Sequence, residues 1–267
     1  MKKPWYKSKP DFYLLEQKII DEKYPTLFYS VRDSKVYLSG ILNINHIYAN
    51  EHITDAYEIE IEFPDDYPSS LPKVWELGGR KENTLKKRGL SSILDLHYFS
   101  DGSACLCYER AVRRYFPEGS NIEIFLRRLV EPFFYGQSYF QRHGKWPFGE
   151  YGHMYEGQGL IQFYSDELNT DDLNIIFNCI KLLAKDEQVK GHWLCPCRSS
   201  ESLRKCHPEL FKRLYDLRKI VSSDDAKLDL THLAKAYKEY QVRVNRQKTY
   251  NELVNKSIRN ILINRKF

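Results

Sequence analysis

Two short segments of the chain carry side chains able to do chemistry, and each contains a Cys-x-Cys pair. The first, LHYFSDGSACLCYERAV, brings His97, Asp101, Cys105 and Cys107 within a few residues of one another. The second, HWLCPCRSSESLRKCHPELF, places Cys195, Cys197, Cys206 and His207 in the pattern C-x-C-x8-C-H. The second pattern is that of a metal clip. Structural zinc takes four thiolate or imidazole ligands in a tetrahedron, and short paired segments supply two ligands at a time. Pro196 stiffens the first pair, Ser199 and Ser200 suit the turn that returns the second, and Arg204 and Lys205 offset thiolate charge.

The first segment fits a metal less well. His97, Cys105 and Cys107 supply three ligands and no obvious fourth. In an extended segment, Cys105 and Cys107 would point to opposite faces, which disfavours both chelation and a redox pair. Core packing and a single exposed nucleophile both remain open on the residues alone. Cys179 stands apart on the apolar side of a predicted helix and reads as a buried, inert thiol.

The elements that must position these residues follow from periodicity. DFYLLEQKIIDEKY places Leu14, Leu15, Lys18, Ile19 and Glu22 at helical spacing, and Pro25 ends the helix. TLFYSVRD and KVYLSGILNI read as strands joined by the short turn Asp33-Ser34. AYEIEIEF alternates, with Tyr57, Ile59, Ile61 and Phe63 on one face and Glu58, Glu60 and Glu62 on the other, the period of a half-buried antiparallel strand. PDDYPSSLP is too proline-rich for regular structure, and KVWEL is a fourth strand. Beyond the first cysteine pair, a helix capped by Ser120 is expected to bend or end at Pro132. The glycine-rich, aromatic stretch from Tyr135 to Gly159 reads as a loop pinned by its rings. An amphipathic helix capped near Thr170 precedes the second cysteine cluster, and two or three charged helices follow it. A helix, a strand meander and a proline corner make an α+β domain.

The order of these features resembles the ubiquitin-conjugating enzyme family over about residues 10–140. Phe63, Pro64, Tyr67, Pro68 and Pro72 stand where that family has its FPxxYPxxxP corner, His97 where a histidine opens the active-site stretch, and Gly102, Cys105 and Leu106 where Gx(I/V)CL carries the catalytic cysteine. The resemblance implies a UBC-like fold: an N-terminal helix, a four-stranded antiparallel meander, an active-site loop and C-terminal helices. It makes Cys105 an acyl carrier and Cys107 a bystander, with His97 chiefly structural. The family's His-Pro-Asn tripeptide reads His97-Tyr98-Phe99 here, so its oxyanion-supporting asparagine is missing; Ser100, Asp101 and Ser103 are the nearby replacements, and Asp101 could also help deprotonate an incoming amine. The segment after Cys105 is more basic than is usual in the family, with Arg110, Arg113 and Arg114. The second cluster resembles the SEC-C motif, CPCGSGxxxxxCH, over 192–210, with zinc on Cys195, Cys197, Cys206 and His207 and His192 as a bystander or alternative ligand. It departs from that motif at Arg198 and Ser200, where glycines serve the turn.

The expected organisation is a conjugating domain over 1–165 and a helical region over 166–267 that contains the zinc element. The expected function is that of a bacterial ubiquitin-conjugating-like transferase. It would carry the C-terminus of a ubiquitin-like or other protein as a thioester on Cys105 and pass it to an amine. An activating enzyme would be a partner, and in an antiphage defence operon a cyclic-oligonucleotide synthase could be the conjugated protein. Two other readings stand beside it: a non-catalytic module that binds a ubiquitin-like partner, and a zinc-containing nucleic-acid adaptor resting on the basic stretch from Lys235 to Phe267. With a net charge of only +5, that stretch reads more readily as a solvated helix face than as a nucleic-acid footprint. Aromatic residues make up 14% of the chain, too many for disorder. No apolar run approaches the roughly eighteen residues of a membrane span, and the N-terminus lacks the apolar core of a signal peptide, so a cytoplasmic protein with clustered cysteines for metal or catalysis is expected.

Overall fold

A computed structural model describes residues 4–48, 50–148 and 157–236. The chain divides into two compact units, residues 1–150 and 151–267. The division thus falls ahead of the helix Gln158–Leu168, whereas a boundary at 165 would fall within it.

The first unit is α+β. A single turn at Trp5–Ser8 leads into helix α1 (Pro10–Lys23), followed by four antiparallel strands in the order β1-β2-β3-β4: Leu27–Arg32, Lys35–Tyr48, Glu51–Glu62 and Lys73–Glu76. Asp33 and Ser34 both take positive φ (50° and 64°), as the two-residue β1–β2 turn requires. The alternation of β3 appears as expected: Tyr57, Ile59, Ile61 and Phe63 are buried, and on the opposite face Glu60 pairs with Arg32 and Glu62 with Lys35. Those inward side chains join Ile19, Ile20, Leu38, Leu42 and Val74 in one core.

Helix α1 presents a different face from the one the apolar spacing suggests. Leu14 and Leu15 are exposed, while Glu16, Ile19 and Ile20 are buried. A second helix, α2 (Arg80–Arg88), intervenes between β4 and the first cysteine pair. Its sequence is polar nearly all round, so periodicity gave no sign of it. It is tied down by Arg80, whose guanidinium donates to both carboxylate oxygens of Asp55 at 2.7 Å and to Gln141 at 2.6 Å.

Helix α3 runs past Pro132 as an α-helical turn Ile122–Phe125, a π-helical stretch Leu126–Val130 and an α-helix Glu131–His143. The wider π spacing accommodates a residue without an N–H, so the proline neither ends the helix nor breaks it. Its cap is Asn121, whose Oδ1 accepts from the Ile124 amide at 3.1 Å; Ser120 instead donates to the Pro117 carbonyl. The expected aromatic loop therefore begins only at Gly144, because Tyr135–His143 are helical, with Tyr135, Gly136, Gln137, Ser138 and Phe140 buried. Its rings do pin it: Trp146 stacks on Phe140 at 4.4 Å, and Phe148 meets Tyr48 at 5.3 Å.

The second unit, as far as it is described, is helical: α4 (Gln158–Leu168), α5 (Leu173–Leu183), a turn at Leu203–Cys206, α6 (Pro208–Leu217) and helical residues 223–236. The cap of α5, expected near Thr170, is Asp172, which accepts from the amides of Asn174 and Ile175. Cys179 is fully buried on α5, and burial pushes its thiol far above the ordinary range. Nearly all of the basic stretch after Lys235 lies outside the described residues. Among the described residues, no helix is long and apolar enough to cross a membrane.

Candidate functional site

The first cysteine pair sits at the end of a tight turn docked on β4. After a 3-10 turn (Ile93–Leu96), His97 takes a left-handed conformation (φ 56°) and reverses the chain. Phe99 and Ser103 then close a turn, with the Phe99 amide donating to the Ser103 carbonyl and the Gly102 amide to the Phe99 carbonyl, both at 2.8 Å. Gly102 has φ 81°, which a side chain would strain. A Cβ there would also stand 3.5 Å from the Lys81 ammonium and 3.8 Å from the Trp75 ring. The turn is hooked to the sheet by the Ala104 amide, which donates to the Val74 carbonyl at 2.8 Å, and by the Trp75 indole N–H, which donates to the Asp101 carbonyl.

Two of the three expected catalytic residues are brought together directly. The Cys105 amide donates to the His97 carbonyl at 2.8 Å. The His97 ring lies against Trp146 at 4.6 Å between centroids. The peptide just before it is fixed by Gln137, whose Nε2 donates to the Leu96 carbonyl at 2.7 Å. Asp101 is at the turn's tip with both oxygens engaged. Oδ2 accepts from Lys73 at 2.8 Å, and Oδ1 accepts from the Ser103 amide and hydroxyl at 3.0 and 2.6 Å. Lys73 first, then Ser103, hold this carboxyl far below the usual carboxylate range, which makes it a weak proton acceptor. Ser103 is itself buried, Ser100 is exposed, and Phe99 presents its ring to solvent with 51% exposed. Burial raises the thiol of Cys105 and pushes that of Cys107 higher, up to about 12, with Cys105 adding to the effect. Of the pair, Cys105 is therefore the more readily ionised.

Trp75, Lys73, Lys81, Gln137 and Trp146 build this site, and residue type alone did not single them out. Only the Trp in the predicted strand KVWEL hinted at its role, since a large ring on a short edge strand must pack on something.

The second cluster lies in the other unit and has a different geometry. Leu194 and Ser202 form an isolated antiparallel bridge that returns the chain, so that one ligand atom from each of Cys195, Cys197, Cys206 and His207 lies within 4.8 Å of every other. The Cys195 and Cys197 sulfurs are 3.3 Å apart, those of Cys197 and Cys206 3.6 Å, and His207 Nδ1 is 3.2 Å from Cys195 and 3.1 Å from Cys206. A tetrahedron with metal–sulfur bonds of about 2.3 Å has edges of about 3.8 Å. The four donors thus fit a single metal ion. Hydrogen bonding from Ser199 lowers the Cys197 thiol, while burial raises that of Cys195. Arg198 and Ser200 take φ of 65° and 66°. The turn therefore keeps a left-handed geometry at both positions despite their side chains. His192 is not one of the four.

No family model, curated protein or solved structure matches the chain.

Proposed function

We propose that the chain is a ubiquitin-conjugating-like acyl carrier whose second unit holds a structural zinc ion. The observation that carries this reading is the hydrogen bond from the Cys105 amide to the His97 carbonyl, on a turn docked against the strand that follows the proline corner. That bond joins the motif's histidine to its cysteine, and the α1, four-strand and α3 frame around them has the element order the family resemblance implies.

In the proposed reaction the Cys105 thiolate attacks the carbonyl carbon of a modifier protein's C-terminal thioester. A new C–S bond forms as the old one breaks, and the donor thiol leaves. An amine then attacks the Cys105 thioester; the C–N bond forms, the C–S bond breaks, and Cys105 departs as thiolate while the amine gives up its proton. The raised thiol keeps the resting cysteine protonated, so it resists stray alkylation and oxidation until a partner covers it. Asp101 and Ser103 are spent on each other and on Lys73, so their contribution is to hold the turn. Ser100 is the exposed polar group left near the missing asparagine. Loss of one oxyanion donor slows such transfers by about a hundredfold or more.

Three thiolates and one imidazole favour zinc and fill its tetrahedron, which assigns the metal a structural part. When bound, it would cross-link the Cys195–Cys197 segment to the turn at Leu203–Cys206 and the start of α6. Cys195, Cys197, Cys206 and His207 would hold it in a SEC-C-like element.

A non-catalytic binding module is the second reading, favoured by one observation: an exposed phenylalanine, Phe99, where a catalytic polar side chain is expected. The two separate on a non-reducing gel. With a candidate modifier, its activating enzyme and ATP, the carrier reading expects a thiol-sensitive adduct that Cys105→Ser abolishes and Cys107→Ser keeps. Binding of the modifier with no adduct would favour the module.

A further inference from the structure

Cys105 is separated from α3 by the segment 106–121, and the far end of that segment is held by a carboxyl group from the opposite end of the chain. Glu16, on α1, is fully buried. Its Oε2 accepts from the Ile122 amide at 2.9 Å, from the Tyr67 hydroxyl at 3.2 Å and from the Tyr29 hydroxyl at 3.5 Å, and its Oε1 accepts from Ile122 at 3.2 Å. Tyr67 belongs to the proline corner, and Ile122 is the first residue of α3. Phe116, within the segment, is buried between Tyr67 (6.3 Å) and Phe125 (5.9 Å). One carboxyl group therefore grips both the corner and the end of the cysteine-bearing segment.

We propose that Glu16 is a positioning residue for Cys105, a clasp that fixes segment 106–121 against the proline corner. A hydrophobic residue or a glutamine would fill the same space on a helix whose Leu14 and Leu15 face solvent, yet this position carries an acid. The groups that face it are the Tyr29 hydroxyl from β1, the Tyr67 hydroxyl from the corner and the Ile122 amide from α3, with Tyr13 of α1 packed behind Tyr29 at 5.7 Å. All of its hydrogen-bond donors are neutral. With no cation facing it among the described residues, Glu16 is pushed up to about 7, burial being the main cause and the three donors opposing it. An acid raised in the folded state favours folding most at low pH. That advantage declines as pH climbs from the unfolded value toward 7 and is spent above it. Opening the clasp to water relieves the buried charge, so the same window should govern how firmly segment 106–121 is held.

Hydrogen exchange of the amides of 106–122, corrected for the intrinsic rate, tests this on the full chain. In the wild type, exchange should climb by up to about tenfold per pH unit between about 5 and 7 and flatten above 7. In Glu16→Gln it should be flat throughout. Tyr67→Phe, which keeps the ring and removes one donor, should move the flattening point upward. Alkylation of Cys105 in a Cys107→Ser background should rise more steeply than the tenfold per unit given by thiolate fraction in the wild type, and no more steeply than that in Glu16→Gln. Identical profiles for wild type and Glu16→Gln would overturn the clasp; if Glu16→Gln does not fold, an unmoved profile in Tyr67→Phe does so. The positioning role rests on Cys105 being the acyl carrier, but these readouts need no modifier. Failure to form a thioester with the pH profile intact would remove the carrier and leave the clasp.

Discussion

The two Cys-x-Cys pairs have the same spacing and opposite surroundings. Cys105 and Cys107 follow a turn hooked onto a sheet edge, and burial raises both thiols. Cys195 and Cys197 lie in a turn that doubles back, where a third thiol and an imidazole converge on them. Spacing alone does not set the chemistry of a cysteine pair. What sets it is whether the chain returns to complete a coordination shell, or instead leaves one sulfur at the end of a rigid platform. The platform is held by many separate bonds and should tolerate the loss of one, whereas the shell has four members and should not.

Metal loss should therefore produce the largest effect. Removing the proposed metal with a chelator, or replacing Cys206 by Ser, is expected to unfold the element around 192–210, since a structural zinc contributes on the order of 10 kcal/mol in small metal-dependent folds. The expected readout is one metal equivalent lost together with exchange protection across that segment, while the sheet of the first unit keeps its own. Unchanged protection after metal removal would break the contrast.

A single change in the platform should be far milder. Asp101→Asn keeps an acceptor for Ser103 and weakens the exposed pairing with Lys73, an interaction worth about 0.2–1 kcal/mol. Thioester formation should fall by less than about tenfold in a timed single-turnover assay. A loss as complete as that of Cys105→Ser would make Asp101 a participant in the chemistry.

The smallest effect should be a gain. Arg198 and Ser200 both occupy left-handed backbone in the metal turn, at a cost of roughly 1 kcal/mol each relative to glycine. Arg198→Gly and Ser200→Gly should each raise the midpoint of chelator-induced unfolding. A drop would show that these side chains do more than tolerate the turn.

How much of this the sequence disclosed depends on which force placed each residue. The sheet was legible because one buried face imposes a period of two on β3, and the candidate metal ligands because coordination demands particular atoms at short range. Helix α2 was not, since it is anchored by Arg80 bonding to distant Asp55 rather than by an apolar stripe. Glu16 was hidden for a related reason: its partners are far along the chain, at Tyr67 and Ile122. The burial of Tyr135, Gly136, Gln137, Ser138 and Phe140 overrode the local preference of glycine and aromatic residues for a loop. The cap expected at Ser120 is Asn121, one residue on, a near miss between two residues that cap equally well, and the cap expected near Thr170 is Asp172. For the candidate site around Cys105, the cysteine and histidine could be read from a motif, but the platform of Lys73, Trp75, Lys81 and Trp146 exists only in three dimensions.

The contrast between the two clusters is tested most directly by native mass spectrometry of the whole chain after brief alkylation at mildly alkaline pH, with the labelled peptides mapped. A chain carrying one zinc ion, labelled first at Cys105 and spared at Cys195, Cys197 and Cys206, is the predicted result. A metal-free chain labelled first at those three cysteines, with Cys105 untouched, would contradict it.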